Sequence, residues 1–223
     1  MSGELDRASA ILAAGGVVAV PTDTVYGLAA RLDRPDAISA VFELKGRPQG
    51  LALPVLVAGE AQLGEVVAEW PPAAHVLAER FWPGPLTLVV PAPPAIGRLL
   101  GGEGASVGIR HPRHPVIEGL LRLCGPLAVT SANLHGRPPC TSAAEVTDVF
   151  GVGGPSIGIG PDGGGTDRPA PPGGPRVAAV LDGGRCDGEP STVVDLVAGS
   201  PRCLRAGALG FPAVLAALDG GPA

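Results

Sequence analysis

The sequence predicts an α/β fold with a mixed β-sheet. Short, β-branched apolar runs alternate irregularly with segments of helical spacing, and the last three of those runs follow one another with short gaps. A length of 223 residues with 45% hydrophobic content suggests one domain with a sizeable buried core.

The first part of the chain predicts two helices and two buried strands. Residues 4–14 have helical spacing and end at a Gly-Gly pair that can form a C-cap. Residues 17–21 are a β-branched run that a proline stops, which is typical of a buried strand. Residues 35–45 predict a helix with proline at its first position, and residues 51–58 predict another buried strand.

The middle of the chain predicts further alternation of helices and strands. Residues 59–69 and 73–81 have helical spacing and are separated by two prolines. The apolar runs 86–91 and 105–110 predict strands. Residues 114–125 predict a helix with an early proline and a terminal glycine.

A glycine- and proline-rich segment interrupts this pattern. Before it, residues 126–133 predict a strand that runs into a polar turn. Residues 142–151 then predict a helix with Ser142 as N-cap and Glu145 in a capping box. In residues 151–175, 16 of 25 are Gly or Pro, which predicts a flexible surface loop.

The last part of the chain returns to regular elements. Residues 176–184, 191–197 and 202–207 predict strands, and residues 211–219 predict a closing helix. No internal repeat is present in the sequence.

Composition excludes several classes of protein. The net charge of −5 argues against a strongly basic nucleic-acid wrapper. No apolar run reaches the roughly 18 residues of a membrane span, and the first residues carry acids and no cationic leader, so we expect neither an anchor nor a signal peptide. Four cysteines without a CxxC pair argue against a zinc ribbon and favour a reducing, cytoplasmic setting.

Familiar catalytic signatures do not fit their required context. The Walker phosphate loop is absent from the sequence. GIGPDG at 158–163 lies in the glycine-rich segment with no helix after it. GASVG at 104–108 resembles a nucleophile elbow, but Ser106 opens a strand and does not end one. His111 and His114 match no usual metal-binding pattern, so we expect turn or surface residues.

Three polar stretches follow predicted elements and can form a site. PTDTVYGLAA at 21–30 follows a buried strand, where open α/β sheets place ligands, although a threonine or the aspartate can instead cap a helix while Tyr26 packs. KGRP at 45–48 contains the only lysine and suits a polyphosphate, although cations also favour a helix C-terminus. TSAN at 130–133 offers hydroxyls, an amide and backbone N–H groups to an anion or a nucleotide.

The order of eight motifs along the chain resembles the YrdC family. They are PTDTVYGL, KGRP, WPGPLT (82–87), VGIRHPRHP (107–115), TSANLHG (130–136), LDGG (181–184), STVVD (191–195) and LRAG (204–207). The resemblance implies a single YrdC-like catalytic domain over 4–208, with 151–175 as an inserted loop and 209–223 as a C-terminal helix and tail. It also implies a twisted mixed sheet around a large cavity, in the short form of the family.

The resemblance further implies an enzyme that forms threonylcarbamoyl-AMP and pyrophosphate. Its substrates would be L-threonine, bicarbonate and ATP, with Mg²⁺ accompanying ATP. The product would serve tRNA modification through downstream threonylcarbamoyl-transfer proteins, with at most weak contact to tRNA or other RNA.

The family's functional residues carry over by motif. The residues expected at threonine are Thr24, Arg110 and Ser191. Those expected at the nucleotide are Lys45, Arg47, Ser106, Ser131, Asn133 and Arg205, with Lys45 and Arg47 also catalytic. Leu51 and Leu56 stand where one family pattern has Asn and His, so neither position is carried over.

Two other functions remain open at this point. The same fold can hold RNA without chemistry, although 3% aromatic residues offer few stacking platforms. YrdC-like domains also occur in hydrogenase-maturation carbamoyltransferases, but the acylphosphatase and zinc-finger segments of those proteins are not recognisable in this sequence.

Overall fold

The computed structural model describes residues 2–46, 50, 52–102, 104–153, 157–158, 175–186 and 188–220. The strands described are β1 (Val17–Val20), β2 (Gly27–Arg31), β3 (Val55–Leu56), β4 (Leu86–Pro91), β5 (Ser106–Arg110), β6 (Leu127–Ser131), β7 (Ile157–Gly158), β8 (Val177–Asp182), β9 (Thr192–Asp195) and β10 (Arg202–Arg205). The α-helices described are α1 (Ser2–Ala13), α2 (Pro35–Lys45), α3 (Pro72–Phe81), α4 (Pro94–Leu99), α5 (Pro115–Cys124), α6 (Ala143–Phe150) and α7 (Phe211–Leu218).

The strands form one mixed sheet in the order β10-β9-β4-β5-β3-β6-β2-β1-β8-β7. The pairs β1–β8, β3–β5, β4–β9 and β7–β8 are parallel. The pairs β1–β2, β2–β6, β3–β6, β4–β5 and β9–β10 are antiparallel. The predicted α/β fold with a mixed sheet is confirmed.

Local sequence explains several helix ends. Pro35 occupies the first turn of α2, and Gly46 ends that helix with φ 56°, a left-handed conformation that glycine adopts at little cost. The Ser142 side chain accepts a hydrogen bond from the Glu145 N–H at the start of α6. The Glu145 carboxylate in turn accepts a hydrogen bond from the Thr141 N–H. In a capping box it would accept from the N–H of Ser142, so the return contact is shifted by one residue towards the N-terminus.

The helices cover the two faces of the sheet unequally. One face packs against α2, α3, α6 and α7, and its core includes Leu28, Leu88 and Ile109. The opposite face is covered by α1 and α5 over β1, β2, β6 and β8, with Val18 and Leu120 in its core. Beyond those helices, the second face is left open over β3, β4, β5 and β9.

Several predicted elements differ from the structure. Residues 27–31, expected within a polar turn, form β2, because β1 and β6 pair with both of its edges. The helix predicted over 59–69 is two short 3₁₀ turns, and the strand predicted over 51–58 is regular only at 55–56. Residues 94–99 form the unpredicted helix α4.

The glycine-rich segment 151–175 lies mostly outside the described residues. In its described part, Val152 bridges to Val177, and Ile157–Gly158 pairs in parallel with β8. These residues are therefore extended chain at the edge of the sheet and not the loop that the composition predicts.

Among the described residues, no helix is both long enough and apolar enough to cross a membrane.

His111 and His114 occupy the turn before α5, as expected. The His114 Nδ1 accepts a hydrogen bond from the Val116 N–H and so caps α5. Burial lowers the pKa of both imidazoles from 6.5, so folding favours their neutral forms.

Acidification therefore lowers the stability of the fold. Below about pH 6.5 the two imidazoles become protonated in the unfolded chain but stay neutral in the native protein. The free energy of unfolding therefore falls with pH, by at most about 1.4 kcal/mol per pH unit for each imidazole. In urea titrations between pH 7 and pH 5, His114→Asn should show a shallower fall, because asparagine caps without titrating. Equal slopes for the variant and the parent would contradict this account of His114.

Candidate active site

A cavity of about 510 Å³ lies on the open half of the sheet. Its floor is formed by alternate residues of neighbouring strands: Thr87 and Val89 of β4, and Ser106, Gly108 and Arg110 of β5. The residues between them point into the core on the other face. A cavity of this volume suits a small molecule of nucleotide size.

The centre of the cavity floor is apolar, and glycine residues leave it without projecting side chains. A Cβ at Gly27 would lie 2.6 Å from the Val129 side chain, and one at Gly108 would lie 3.1 Å from the Thr87 methyl carbon. Pro54 and Leu56 complete this apolar centre. The polar groups are therefore concentrated at the ends of the cavity.

Seven of the nine predicted site residues line this one cavity. They are Thr24, Ser106, Arg110, Ser131, Asn133, Ser191 and Arg205. Of the other two, Lys45 is described below, and Arg47 lies outside the described residues, as does Leu51. The functional roles of all nine stay predictions.

Arg110 is the central cation of one end. Its side chain is buried, and its Nη2 donates to Asp23 Oδ1 in an ion pair of 2.5 Å. Nη1 donates to Thr24 Oγ1 at 3.0 Å, and Nε donates to the Gly84 carbonyl oxygen at 3.1 Å. Arg110 is thus a buried residue and not a surface one. Its positive charge is compensated by the carboxylate of Asp23, which lies outside the cavity lining.

The electrostatics of this end favour an anion. Burial lowers the pKa of Arg110, Asp23 opposes that shift, and the positive charge of Arg205 reinforces it. Two guanidinium groups that line the same cavity therefore repel each other, and the Asp23 carboxylate, outside the lining, pairs with Arg110. A bound anion would relieve this repulsion.

Hydroxyl groups surround the two arginines. The Thr22 hydroxyl donates to the Val25 carbonyl oxygen and accepts from the Thr24 N–H, which folds the turn and presents Thr24 to the cavity. Gly188 packs against this turn so closely that a Cβ there would lie 2.6 Å from the Asp23 carbonyl oxygen.

The same turn leads into Tyr26, which lines the cavity while its side chain packs in the core. The Tyr26 hydroxyl donates to the Gly184 carbonyl oxygen at 2.8 Å, and burial raises its pKa. The alternative interpretation of this stretch is therefore right for Thr22, which caps a turn, and for Tyr26, which packs. It is wrong about a helix, because β2 follows.

Arg205 is held by Ser191. Its Nε and Nη2 donate to the Ser191 carbonyl oxygen at 3.0 and 2.7 Å, and Nη2 also donates to Ser191 Oγ at 2.9 Å. The close approach of the chains leaves no room for a side chain at Gly207, where a Cβ would lie 2.1 Å from the Pro190 carbonyl oxygen. The Ser191 and Thr87 hydroxyls are 2.8 Å apart.

At the other end, Lys45 fixes the turn after β6. The residue is 2% exposed, and its ammonium donates to the carbonyl oxygens of Ser131 and Asn133 and to Asn133 Oδ1, the last two at 2.9 and 3.0 Å. The Ser131 hydroxyl also donates to Asn133 Oδ1, at 2.6 Å. Three acceptors converge on one nitrogen, which suits a compact ammonium better than a planar guanidinium.

Sequence reasoning missed two residues of the cavity's polar end. Asp23 lies inside the PTDT motif and Thr87 ends the WPGPLT motif, so both were within recognised stretches without an assigned role. Leu56 pairs with Arg110 in the register of β3 and β5, so the departure from the family pattern lies directly beside the central cation.

Comparisons with known proteins show which family the chain is similar to. The Sua5, YciO and YrdC family model, described as "Telomere recombination", matches residues 10–153. The chain is 36% identical over 205 residues to threonylcarbamoyl-AMP synthase of Pyrococcus abyssi, which covers 91% of this chain and 53% of that protein. It is also 36% identical over 210 residues to threonylcarbamoyl-AMP synthase of Bacillus subtilis, covering 92% and 54% of the two chains.

A solved structure shares the fold. The crystal structure of P. abyssi Sua5 complexed with L-threonine matches with a TM-score of 0.81 and 34% identity, over 96% of this chain and 57% of that one. The chain therefore spans about half the length of these relatives.

The contacts of Lys45 explain why an arginine would not suit this position. Lys45→Arg should lower the free energy of unfolding by about 1–3 kcal/mol, because a larger planar cation leaves buried carbonyl oxygens unsatisfied. Arg122→Lys, at an exposed position on α5, is the matched control and should change it by under about 0.5 kcal/mol. Chemical denaturation measures both, and an undiminished free energy for Lys45→Arg would contradict the geometric account.

Proposed function

Because the chain belongs to the Sua5, YciO and YrdC family, we propose that it is a threonylcarbamoyl-AMP synthase. The reaction joins L-threonine, bicarbonate and ATP, and it releases pyrophosphate and water. The observation that carries the proposal is the convergence of Arg110 and Arg205 on a cavity of about 510 Å³ with hydroxyl groups around both.

The reaction asks mainly for positioning and charge compensation. The threonine amine attacks the carbon of bicarbonate and water leaves, which gives a carbamate. A carbamate oxygen then attacks the α-phosphorus of ATP, and pyrophosphate leaves. All the partners are anionic, so fixed cations and proximity supply the stabilisation without a covalent nucleophile.

We assign the two ends of the cavity to the two larger substrates. Arg110, with Thr24 and Ser191 beside it, would hold the threonine carboxylate, because a guanidinium fork matches a carboxylate. Ser131 and Asn133, on the turn that Lys45 fixes, would bind the nucleotide together with Ser106. Arg205, which lies at the Arg110 end beside Ser191, would contact the nucleotide where the two substrates meet. The carbamate and the α-phosphate would meet over the low apolar floor at Gly108.

The proposed role of Lys45 is supported by its contacts, whereas that of Arg47 is supported by its motif. Lys45 acts on the nucleotide in this proposal chiefly through the turn that it fixes. Arg47 would meet the phosphates, and this rests on its place in the KGRP motif alone. Mg²⁺ would arrive with ATP as part of the substrate. Within the described ranges, no group of three or more His, Cys, Asp or Glu side chains could hold a metal ion.

The product of this reaction is a mixed anhydride. We infer that threonylcarbamoyl-transfer proteins consume it in the modification of tRNA, in the cytoplasm. An RNA-binding module without catalysis is the alternative function. Measurement of ATP turnover separates the two, because an RNA module would bind RNA in a salt-dependent way without turning over ATP.

Pyrophosphate release tests the proposed function directly. The protein should release pyrophosphate from ATP only when L-threonine and bicarbonate are both present, and threonylcarbamoyl-AMP should appear in equal amount by mass spectrometry. Release that needs neither co-substrate would contradict the proposal.

Arg110 provides a sharper test of the assigned threonine end. Arg110→Lys should raise the KM for L-threonine at least tenfold while changing the KM for ATP little, because lysine keeps the charge without the fork. Arg110→Ala should raise the KM for L-threonine further. Combining it with Asp23→Asn removes the carboxylate that would otherwise be left buried without its partner. Equal increases in both KM values would mean that Arg110 supports the whole cavity.

A further inference from the structure

We propose that Thr87 reads the β-hydroxyl group of the amino-acid substrate and so determines side-chain specificity. The inference rests on the proposed function and names a residue to which the sequence motifs assigned no role. It is carried by the position of Thr87, by its bond to Ser191 and by the orientation of its methyl group.

Thr87 lies beside the group assigned to the substrate carboxylate. Leu88 pairs with Ile109 in the antiparallel register of β4 and β5, so the preceding Thr87 and the following Arg110 are neighbours on the cavity face. Side chains on neighbouring strands lie about 5 Å apart. Neighbours on adjacent strands are thus close enough for the two residues to contact different groups of one small amino acid.

The bond between Thr87 and Ser191 suits a ligand that both donates and accepts. Ser191 Oγ accepts from Arg205, and its contact with Thr87 Oγ1 uses one of the two hydroxyl protons of the pair. Among the described residues, the other proton has no acceptor. The pair therefore offers one donor and remaining lone pairs, which matches a hydroxyl group, whereas a carboxylate only accepts and an ammonium only donates.

The methyl group of Thr87 has a defined direction. It points towards Gly108, where an added Cβ would lie 3.1 Å away, so the hydroxyl points along the floor towards Ser191. Val193 lines the cavity on β9 and pairs with Thr87. The wall therefore presents a hydroxyl pair beside an apolar surface, which complements a side chain with one hydroxyl and one methyl group.

The substitution Thr87→Val tests this assignment, because valine keeps the shape and the strand preference while removing the hydroxyl. Isothermal titration with L-threonine, L-serine and L-valine in the presence of a non-hydrolysable ATP analogue gives the selectivity. The preference for L-threonine over L-valine should fall about tenfold through weaker binding of L-threonine and L-serine, with L-valine binding unchanged. Thr87→Ser should keep the preference for hydroxyl-bearing amino acids.

Two controls make the outcome decisive. Thr147→Val removes a buried hydroxyl from α6, which donates to the Ala143 carbonyl oxygen outside the cavity, so it should leave all three affinities unchanged. Melting curves confirm that each variant is folded. If Thr87→Val weakens L-threonine and L-valine equally, or weakens neither, the assignment of Thr87 is overturned while the proposed function stands. If the parent protein neither binds L-threonine nor releases pyrophosphate with it, the proposed function fails and the inference fails with it.

Discussion

Each strand beneath the cavity must satisfy two environments at once, because successive side chains point to opposite faces. On β4 and β5, Leu88 and Ile109 fill the core while Thr87 and Arg110 face the cavity. A slip of one residue would bury the arginine among aliphatic side chains and expose the core to water. The unequal helix cover of the two faces follows from this division, and so does the place of the site.

The three described cations of the site are compensated in different ways. Arg110 is buried and has the carboxylate of Asp23, whereas Lys45 is buried against carbonyl oxygens and the Asn133 amide. Arg205 stays exposed at the cavity and bonds to Ser191. An arginine that is already paired has a fixed geometry, a lysine among carbonyls fixes a turn, and an exposed arginine keeps charge available for a ligand.

Elements whose ends carry their own signals could be predicted from the sequence. The helix 35–45 and the strand 86–91 have the predicted bounds, since Pro35 and Gly46 delimit the first and a β-branched apolar run defines the second. The strand β2 could not be predicted, because Gly27-Leu-Ala-Ala has little intrinsic preference for a strand and depends on pairing at both edges. For the site, the order of the motifs indicated which segments of the chain contribute residues to the cavity. It did not indicate that Lys45 contacts a turn 86 residues away, or that Thr87 contacts Ser191.

The strand β10 has a consequence for how tightly the cavity can hold a ligand. It lies at the edge of the sheet, pairs only with β9 within the part of the chain that the structure describes, and all four of its side chains are exposed. Such a strand opens locally at a lower free energy than the centre of the sheet. Because Arg205 belongs to it, each local opening would withdraw one guanidinium and release Ser191. Ligand affinity is then reduced by the fraction of time that the edge strand is detached, and amide hydrogen exchange in β10 would slow when the cavity is filled.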